Sequence, residues 1–268
     1  MNVRTTTCVI VGFLLVPWSL HAAEDAAGDA LPVFILAGQS NMVGGGKVAH
    51  LPDDLKAPQK NALFVQFWAS KWAPLTPKKS FGPEVSFARE VTRELKRSIG
   101  IIKLASGGTS LAVHWNPVKT EPKKKGAGVM YKRLIGYVRR LQKTHKNIKI
   151  VGMLWMQGEA DSRYHAKTME SYRDNLETLI DNCRREFSSR DMVFVCGRVN
   201  PPNWPYQKQV REAQETVRRE NYAWIDCDDL AKHPDNLHYN TDGQVQLGKK
   251  FAEAVLKLVK QKGTGKPK

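Results

Sequence analysis

The chain has 268 residues, of which 41% are hydrophobic and 25% charged, and its formal net charge is +16 at pH 7. Such a positive charge raises the question of a nucleic-acid partner, but the sequence has no zinc-finger spacing, RNA-recognition signature or base-reading basic helix. Much of the excess lies in two stretches of loop composition, KTEPKKKG (119–126) and the C-terminal KLVKQKGTGKPK. We therefore expect no nucleic-acid partner, and at most weak attraction to an acidic polymer or cell surface.

The first residues are typical of a secretory signal peptide. Arg4 gives a positive start, and Cys8–Leu20 is an apolar run too short to span a bilayer. Ala22 and Ala23 then offer small residues for cleavage. The sequence predicts removal of residues 1–23, a secreted or periplasmic protein, and no stable membrane insertion afterwards. A retained membrane anchor is the alternative.

Apolar runs of strand length recur along the rest of the chain. They predict strands at 33–37, 63–67, 99–105, 148–156, 192–196 and 222–226. Because nearly continuous β-branched and aromatic runs suit strands buried on both faces, they indicate a parallel sheet. One-sided apolar stripes predict helices around 130–141, 172–187 and 247–259. This alternation predicts a three-layer α/β/α sandwich with a mostly parallel central sheet, in one domain over 24–262 with a basic flexible tail over 263–268.

The stretch VFILAGQSNMVGGG, residues 33–46, leads an apolar strand into a serine flanked by glycines. A phosphate-binding loop would need glycine where Asn41 stands, and the nucleophile elbow of α/β-hydrolases would need glycine where Met42 stands. Ser40 is therefore either part of a plain strand-to-helix turn or a nucleophile. The second interpretation requires a histidine and a carboxylate to activate the hydroxyl.

A histidine and a carboxylate occur together in HPDNLHYNTDGQ, residues 233–244. Asp235 and His238 are three residues apart, so their side chains are neighbours in a helical turn. A carboxylate at that spacing holds the imidazole Nδ1–H and leaves Nε2 facing outward. A local turn network is the alternative for this pair. The last helix is expected to begin just after it, with Thr241 or Asp242 as its N-cap.

Two further loops follow predicted strands. In WMQGEAD, Gln157 offers an amide donor for an oxyanion, whereas Glu159 and Asp161 are the residue types of a glycosidase acid and base; a polar turn is the alternative. In KLASGGTSLAVHW, Gly107 and Gly108 allow backbone N–H groups to approach a bound oxygen, or simply form a tight turn. Ligands of open α/β sheets lie beyond the carboxyl ends of the strands, so these loops share one edge. Together the four motifs supply every role of acyl transfer.

The motifs GQSNM, GGTS, WMQGEAD and DNLHYNTDGQVQLG resemble those of the SGNH (GDSL-like) hydrolases, in family order from about residue 33 to 256. More narrowly, they are similar to the branch of sialate O-acetylesterases and acetylxylan esterases of carbohydrate esterase family six. The resemblance implies a serine-dependent carbohydrate O-acetylesterase, with an acetylated sugar or polysaccharide as substrate. It implies Ser40 as nucleophile, His238 as general base and Asp235 as its partner. The implied oxyanion donors are the Ser40 N–H, the N–H of Gly108 in preference to Gly107, and the side chain of Gln157, where the wider superfamily has asparagine.

Other residues of these motifs are expected to support the site or bind substrate: Gln39, Asn41, Gly107, Thr109, Glu159 and Trp115. Glu159 is also the reserve candidate for the role of Asp235. Aromatic rings on or beside the loops are candidates for stacking on sugars, although Trp155 suits the core better; they are Trp115, Trp155, Trp204 and Tyr164. No cofactor or metal is expected, because the sequence has no Cys/His ligand cluster.

Alternative functions share parts of this pattern. One is the same serine chemistry on other short acyl or lysophospholipid esters, another is a non-catalytic carbohydrate-binding protein, and a third is a glycosidase built on Glu159 and Asp161.

Three cysteines follow residue 23. Cys183 lies in an apolar helical stripe and is predicted to be a core residue. A disulfide between Cys196 and Cys227 is possible, and the sequence does not decide whether it forms.

Overall fold

The structure is a computed structural model that describes residues 30–67, 69, 71–118, 126–163 and 169–263. The predicted signal peptide, Tyr164, the basic run 119–125 and the tail after 263 lie outside these ranges. Among the residues that are described, no helix combines the length and apolar content needed to cross a membrane.

Nine strands form two sheets in the described ranges. They are β1 (Leu31–Gly38), β2 (Gly46–Lys47), β3 (Gln59–Gln66), β4 (Ala73–Leu75), β5 (Ser80–Phe81), β6 (Ile99–Ala105), β7 (Ile148–Met156), β8 (Val193–Gly197) and β9 (Tyr222–Ile225). The main sheet has the order β4-β3-β6-β1-β7-β8-β9, and β2 pairs separately with β5. All neighbours in the main sheet are parallel except the edge pair β3 and β4. The predicted, mostly parallel sheet is confirmed, and so are all six predicted strands.

Helices connect and flank these strands. They are α1 (Ser40–Val43), α2 (Asp53–Lys56), α3 (Glu84–Leu95), α4 (Val129–Thr144), α5 (Glu159–Arg163), α6 (Tyr172–Glu186), α7 (Gln207–Glu215) and α8 (Thr241–Gly263). The three predicted helices correspond to α4, α6 and α8. With the sheet they confirm the predicted α/β fold.

The expected N-cap of the last helix is wrong by one residue. Helix α8 begins at Thr241, and the Oδ1 of Asn240 accepts the N–H of Gly243 at 3.0 Å, which is the capping geometry. Thr241 instead uses its Oγ1 to accept the N–H of Lys47 at 2.9 Å. That bond ties the start of α8 to β2, which follows the Ser40 loop in the chain.

The core is built around β1, the central strand of the main sheet. Val33 to Ala37 are at most 1% exposed, because β6 and β7 cover both edges of the strand and apolar side chains cover both faces. Cys183 is buried in this core, as predicted. Cys196 and Cys227 are also buried and are free thiols, so the disulfide left open by the sequence is not formed here. Burial raises the pKa of all three thiols.

Candidate active site

The Ser40 loop begins where β1 ends, at a position that only glycine tolerates. Gly38 has φ 148°, and a Cβ there would lie 2.0 Å from the carbonyl oxygen of Met156. The next residue, Gln39, donates its N–H to that same carbonyl at 2.9 Å. Helix α1 then starts at Ser40. This close approach of the two strand ends places the serine at the carboxyl edge of the sheet.

Ser40, His238 and Asp235 form a hydrogen-bonded chain. The Ser40 Oγ lies 3.0 Å from His238 Nε2, and the His238 Nδ1 lies 2.7 Å from Asp235 Oδ2. The other carboxylate oxygen, Oδ1, accepts the backbone N–H groups of Leu237 at 2.9 Å and His238 at 3.0 Å. Because an ionised carboxylate only accepts hydrogen bonds, Nδ1 carries the proton, and Nε2 is left to accept from the serine hydroxyl.

The Asp235 carboxyl is held in its charged form. Partial burial alone would raise its pKa, but the hydrogen bonds from His238 and Leu237 outweigh burial and lower the pKa to about 2. The Asp235 and His238 side chains are about half exposed, so solvent reaches the pair. The carboxylate is therefore charged across the neutral range and fixes the imidazole tautomer.

Ser40 opens into a cavity of about 210 Å³. The cavity is lined by Ser40, Asn41, Val43, Gly44, Gly45, Gly107 and His238. Of the two candidate glycines, Gly107 faces the Ser40 loop, since a Cβ built on it would lie 3.7 Å from the Ser40 Cβ. Gly108 lies one residue further on, with φ 69°, and a Cβ added to it would meet no atom within 4 Å. The geometry thus favours Gly107 over Gly108 as the neighbour of Ser40.

The expectation that Gln157 presents its amide to an oxyanion is not met by this geometry. Gln157 is fully buried and does not line the cavity. Its Nε2 donates to Thr109 O at 3.0 Å and Asp161 Oδ2 at 2.7 Å, with Gln39 Oε1 at 3.3 Å. An amide nitrogen has two hydrogens, so these acceptors already occupy it. Gln157 therefore joins the loop after β7 to the loop after β6 that contains GGTS, residues 107–110, which we call the GGTS loop.

Asp161 is the second anchor of the GGTS loop. Its carboxylate accepts the N–H groups of Leu111 at 2.8 Å and Ala112 at 3.1 Å. Burial raises the pKa of Asp161 to about 6, although the bonds from Gln157 and these two N–H groups lower it. Asp161 and Glu159 are 0% and 1% exposed. Neither carboxyl can reach a glycosidic bond, so the glycosidase alternative has no support in this structure.

Of the rings expected to stack on sugars, Trp115 is contradicted by its burial and Trp155 lies in the core as preferred, whereas the stacking role of Trp204 stays a prediction. Trp115 is fully buried, where its Nε1–H donates to Thr109 Oγ1 at 2.9 Å and its ring packs edge-on against Trp155 with centroids 5.1 Å apart. A ring in this position cannot stack on a sugar. Trp155 is core, and Trp204 is half-buried with the guanidinium of Arg163 5.1 Å from its ring centroid.

Gln39 also supports the site from beneath. Its Oε1 accepts the N–H of Ala160 at 3.2 Å and lies 3.5 Å from the N of Gly158. Because backbone N–H groups only donate, the amide orientation is unambiguous. The residue before Ser40 is thereby bonded to the start of α5, which carries Glu159 and Asp161.

An ion pair below α1 was not predicted from the sequence. Lys103 Nζ donates to Glu84 Oε2 at 2.6 Å and to the carbonyl of Val43, the last residue of α1, at 2.8 Å. Both side chains are at most 10% exposed. The sequence does contain a signal for this ion pair, which is Lys103, a single lysine within the apolar segment IIKLA. A charged side chain buried in a strand needs a partner of opposite charge. Within the described ranges, no cluster of three or more His, Cys, Asp or Glu is arranged to hold a metal.

Comparison with known proteins places the chain in a family. The family model described as carbohydrate esterase, sialic acid-specific acetylesterase matches residues 30–257. A probable carbohydrate esterase of Arabidopsis thaliana is 32% identical in an alignment 248 positions long, which covers 84% of this chain and 90% of that protein.

Solved structures agree on the fold. An Arabidopsis thaliana protein superposes with a TM-score of 0.72 at 28% identity, covering 85% of this chain and 98% of that one. A carbohydrate acetylesterase from Xanthomonas citri shares the fold with a TM-score of 0.67 at 17% identity, over 85% of this chain and 56% of that one. The narrower resemblance to acetylxylan esterases stays a prediction. The chain belongs to the carbohydrate esterase family described as sialic acid-specific acetylesterases.

Proposed function

We propose that the protein is a serine-dependent O-acetylesterase that removes acetyl groups from sugars or polysaccharides, with Ser40, His238 and Asp235 as its catalytic triad. The observation that carries this proposal is the Ser40 Oγ–His238 Nε2 distance of 3.0 Å, with Asp235 2.7 Å behind the imidazole. A nucleophile, a base and an orienting carboxylate in this order are the arrangement that activates a serine hydroxyl.

The reaction proceeds in two acyl transfers. The Ser40 Oγ attacks the acetyl carbonyl carbon while His238 Nε2 takes the hydroxyl proton, and a tetrahedral intermediate forms. The bond from this carbon to the sugar oxygen then breaks, and the imidazolium gives its proton to that oxygen. Water attacks the acetyl–Ser40 ester in the same way, which releases acetate and restores the hydroxyl. Asp235 stabilises the imidazolium in both halves.

The oxyanion requires N–H donors beside Ser40. The backbone N–H of Ser40 and an N–H from the Gly107–Gly108 turn are the donors that this proposal assigns, since Gly107 borders the cavity. Gln157 and Asp161 act one layer below, because they hold the GGTS loop to the loop after β7. Donors held in place before the reaction stabilise the developing charge without a reorganisation cost.

The cavity favours a short acyl group. Its volume is about 210 Å³, and glycines with one valine form most of the wall beside Ser40. No extended apolar channel leads away from the serine among these lining residues. An acetyl group suits this space better than a long acyl chain does, and the family membership favours a sugar as the alcohol.

The direct test is acetate release by the wild-type protein and by Ser40→Ala. Acetylated xylan, simple acetylated sugars and O-acetyl sialic acid form the substrate panel, and longer acyl esters of the same alcohols are the comparison. We expect the wild type to release acetate from at least one acetylated carbohydrate and Ser40→Ala to fall to background. Undiminished release by Ser40→Ala, or faster hydrolysis of the long acyl esters, would contradict the proposal.

A further inference from the structure

Asn41, which follows Ser40 in the chain, touches the loop that carries His238 at two points. Its Oδ1 accepts the N–H of Tyr239 at 3.0 Å, and its Nδ2 donates to the carbonyl of Leu237 at 3.1 Å. These are the peptide groups on the two sides of His238. A carbonyl only accepts and an N–H only donates, so the two bonds fix which way the amide faces. One side chain thus joins the nucleophile turn to both flanks of the base.

The same amide has a third partner, Glu159. Asn41 Nδ2 donates its second hydrogen to Glu159 Oε1 at 2.8 Å. Glu159 is 1% exposed, and its other oxygen, Oε2, has no hydrogen-bond partner among the described residues. The Glu159 carboxyl therefore makes one hydrogen bond with other described residues, in which Oε1 accepts from Asn41. The hydrogen bonds among Ser40, His238 and Asp235 do not involve Glu159, so they do not account for a buried carboxyl at this position.

We infer that Asn41 and Glu159 are a positioning pair, in which Glu159 holds the Asn41 amide so that it keeps His238 within hydrogen-bond reach of Ser40. This inference rests on the proposed function. Asn41 is 2% exposed and hydrogen-bonded on all sides, so its rotamer is set by these partners. Loss of the Glu159 acceptor leaves only the two bonds to the His238 loop to hold the amide, so the link between that loop and the Ser40 turn weakens.

Glu159 serves Asn41 through a single acceptor oxygen. Burial raises the pKa of Glu159, and the bond from Asn41 opposes this effect. Either protonation state of the carboxyl leaves an oxygen that can accept from Asn41. Glutamine keeps the same oxygen and has nearly the same shape, so it is the conservative replacement.

The test compares Glu159→Leu, Glu159→Gln, Asn41→Ala and the double variant Asn41→Ala with Glu159→Leu. A misplacement of catalytic groups by about 1 Å costs on the order of 100-fold in rate. We expect Glu159→Leu and Asn41→Ala each to lower kcat by about 100-fold with KM changed less than about threefold. Glu159→Gln should recover most of the lost kcat. The double variant should be little worse than either single variant, since the two residues act through one contact.

Ser189→Ala is the matched stability control. It also removes a buried hydrogen bond, from Ser189 Oγ to the carbonyl of Ile150, near the opposite end of β7. We expect it to lower the melting temperature without lowering kcat. A comparable loss of kcat in Ser189→Ala, additive losses in the double variant, or a Glu159→Gln as impaired as Glu159→Leu would overturn the inference.

Failure of this inference is distinguishable from failure of the proposed function. If Ser40→Ala is inactive but Asn41→Ala keeps kcat within about threefold of the wild type, the triad stands and the positioning pair does not. If Glu159→Leu does not fold, Asn41→Ala alone decides the question by the same criterion. Retained activity in Ser40→Ala would remove the premise itself.

Discussion

Two loops at the carboxyl edge of the sheet carry carboxylates close to Ser40, and their environments are opposite. In the Asp235–His238 turn the side chains are about half exposed, and hydrogen bonds lower the pKa of Asp235 to about 2. In the turn after β7, Glu159 and Asp161 are buried, and burial raises the pKa of both. The first turn holds a permanent charge beside an imidazole that solvent reaches. The second uses its carboxyls as acceptors that hold loops in place.

The difference shows that residue type alone does not assign a role at this edge. Both turns have two polar groups at short spacing, and both follow strands of one sheet. The Asp235 carboxylate receives donors from its own turn, whereas Asp161 receives them from Leu111 and Ala112, some fifty positions away. Donors from its own turn leave Asp235 about half exposed, whereas the donors of Asp161 come from a distant loop that buries it.

The largest effect is expected from Asp235→Asn. An amide cannot hold the Nδ1–H tautomer as a carboxylate does, so kcat should fall by up to ~10⁴ with little change in stability. Steady-state kinetics measures this loss. Asp229→Asn is the control. Asp229 is an exposed carboxylate six residues before Asp235, and it pairs with Lys250 rather than with His238. A loss of only two- or threefold would instead assign the orienting role to another carboxylate.

A smaller effect is expected from Asp161→Asn, where the quantity measured is the free energy of unfolding. The pKa of Asp161 is about 6 in the folded protein against an ordinary value of 3.8, so the folded state binds this proton more tightly than the unfolded chain. The contribution of Asp161 to the free energy of unfolding therefore declines as pH rises from about 4 to about 6, and it is level above that. Since asparagine does not titrate, the stability difference should shift toward the variant by on the order of 3 kcal/mol between pH 4 and 7.

Urea unfolding at several pH values measures this shift, with Ser189→Ala as a non-titrating control. A difference between wild type and Asp161→Asn that does not change with pH would show that Asp161 is not a buried, titrating anchor. The comparison between the two turns would then lose its physical basis.

The smallest effect is expected from Trp115→Phe, which sharpens the distinction between support and contact. Phenylalanine loses the bond to Thr109 Oγ1 and leaves a small gap, so the free energy of unfolding should fall by about 1–2 kcal/mol. KM for an acetylated sugar should stay the same, because the buried ring does not touch substrate. A clear rise in KM at unchanged stability would restore the stacking role that the structure contradicts.

Much of the fold was predictable because its strands are continuous apolar runs. β1 and β7 are buried on both faces, so their sequences had to be apolar. The polar turns that follow these strands then indicated which edge of the sheet carries the candidate site. The sequence did not predict β4, β2 or β5, because strands of two or three residues are too short to show an alternation of apolar and polar residues. Pro74 within β4 also argues against a strand there. The pairing of Asp235 with His238 was predictable because it is local.

The partners of Gln157 and Trp115 were not predictable from spacing. Gln157 could donate to an oxyanion or to protein acceptors, and the choice depends on Thr109 O and Asp161 lying nearby in the fold. Trp115 sits on a loop, where exposure is usual, yet its indole N–H finds a partner inside. The choice between Gly107 and Gly108 depends on backbone dihedral angles, which two adjacent glycines leave free.

Covalent labelling of the serine tests the central claim most directly. The protein is treated with a serine-directed organophosphorus reagent, and the modified residue is identified by peptide mass spectrometry. We predict a single label on Ser40, absent in Ser40→Ala and formed at least ~10³-fold more slowly in His238→Ala, because the imidazole removes the hydroxyl proton. A label on another serine, or labelling of Ser40 at the wild-type rate in His238→Ala, would contradict the account.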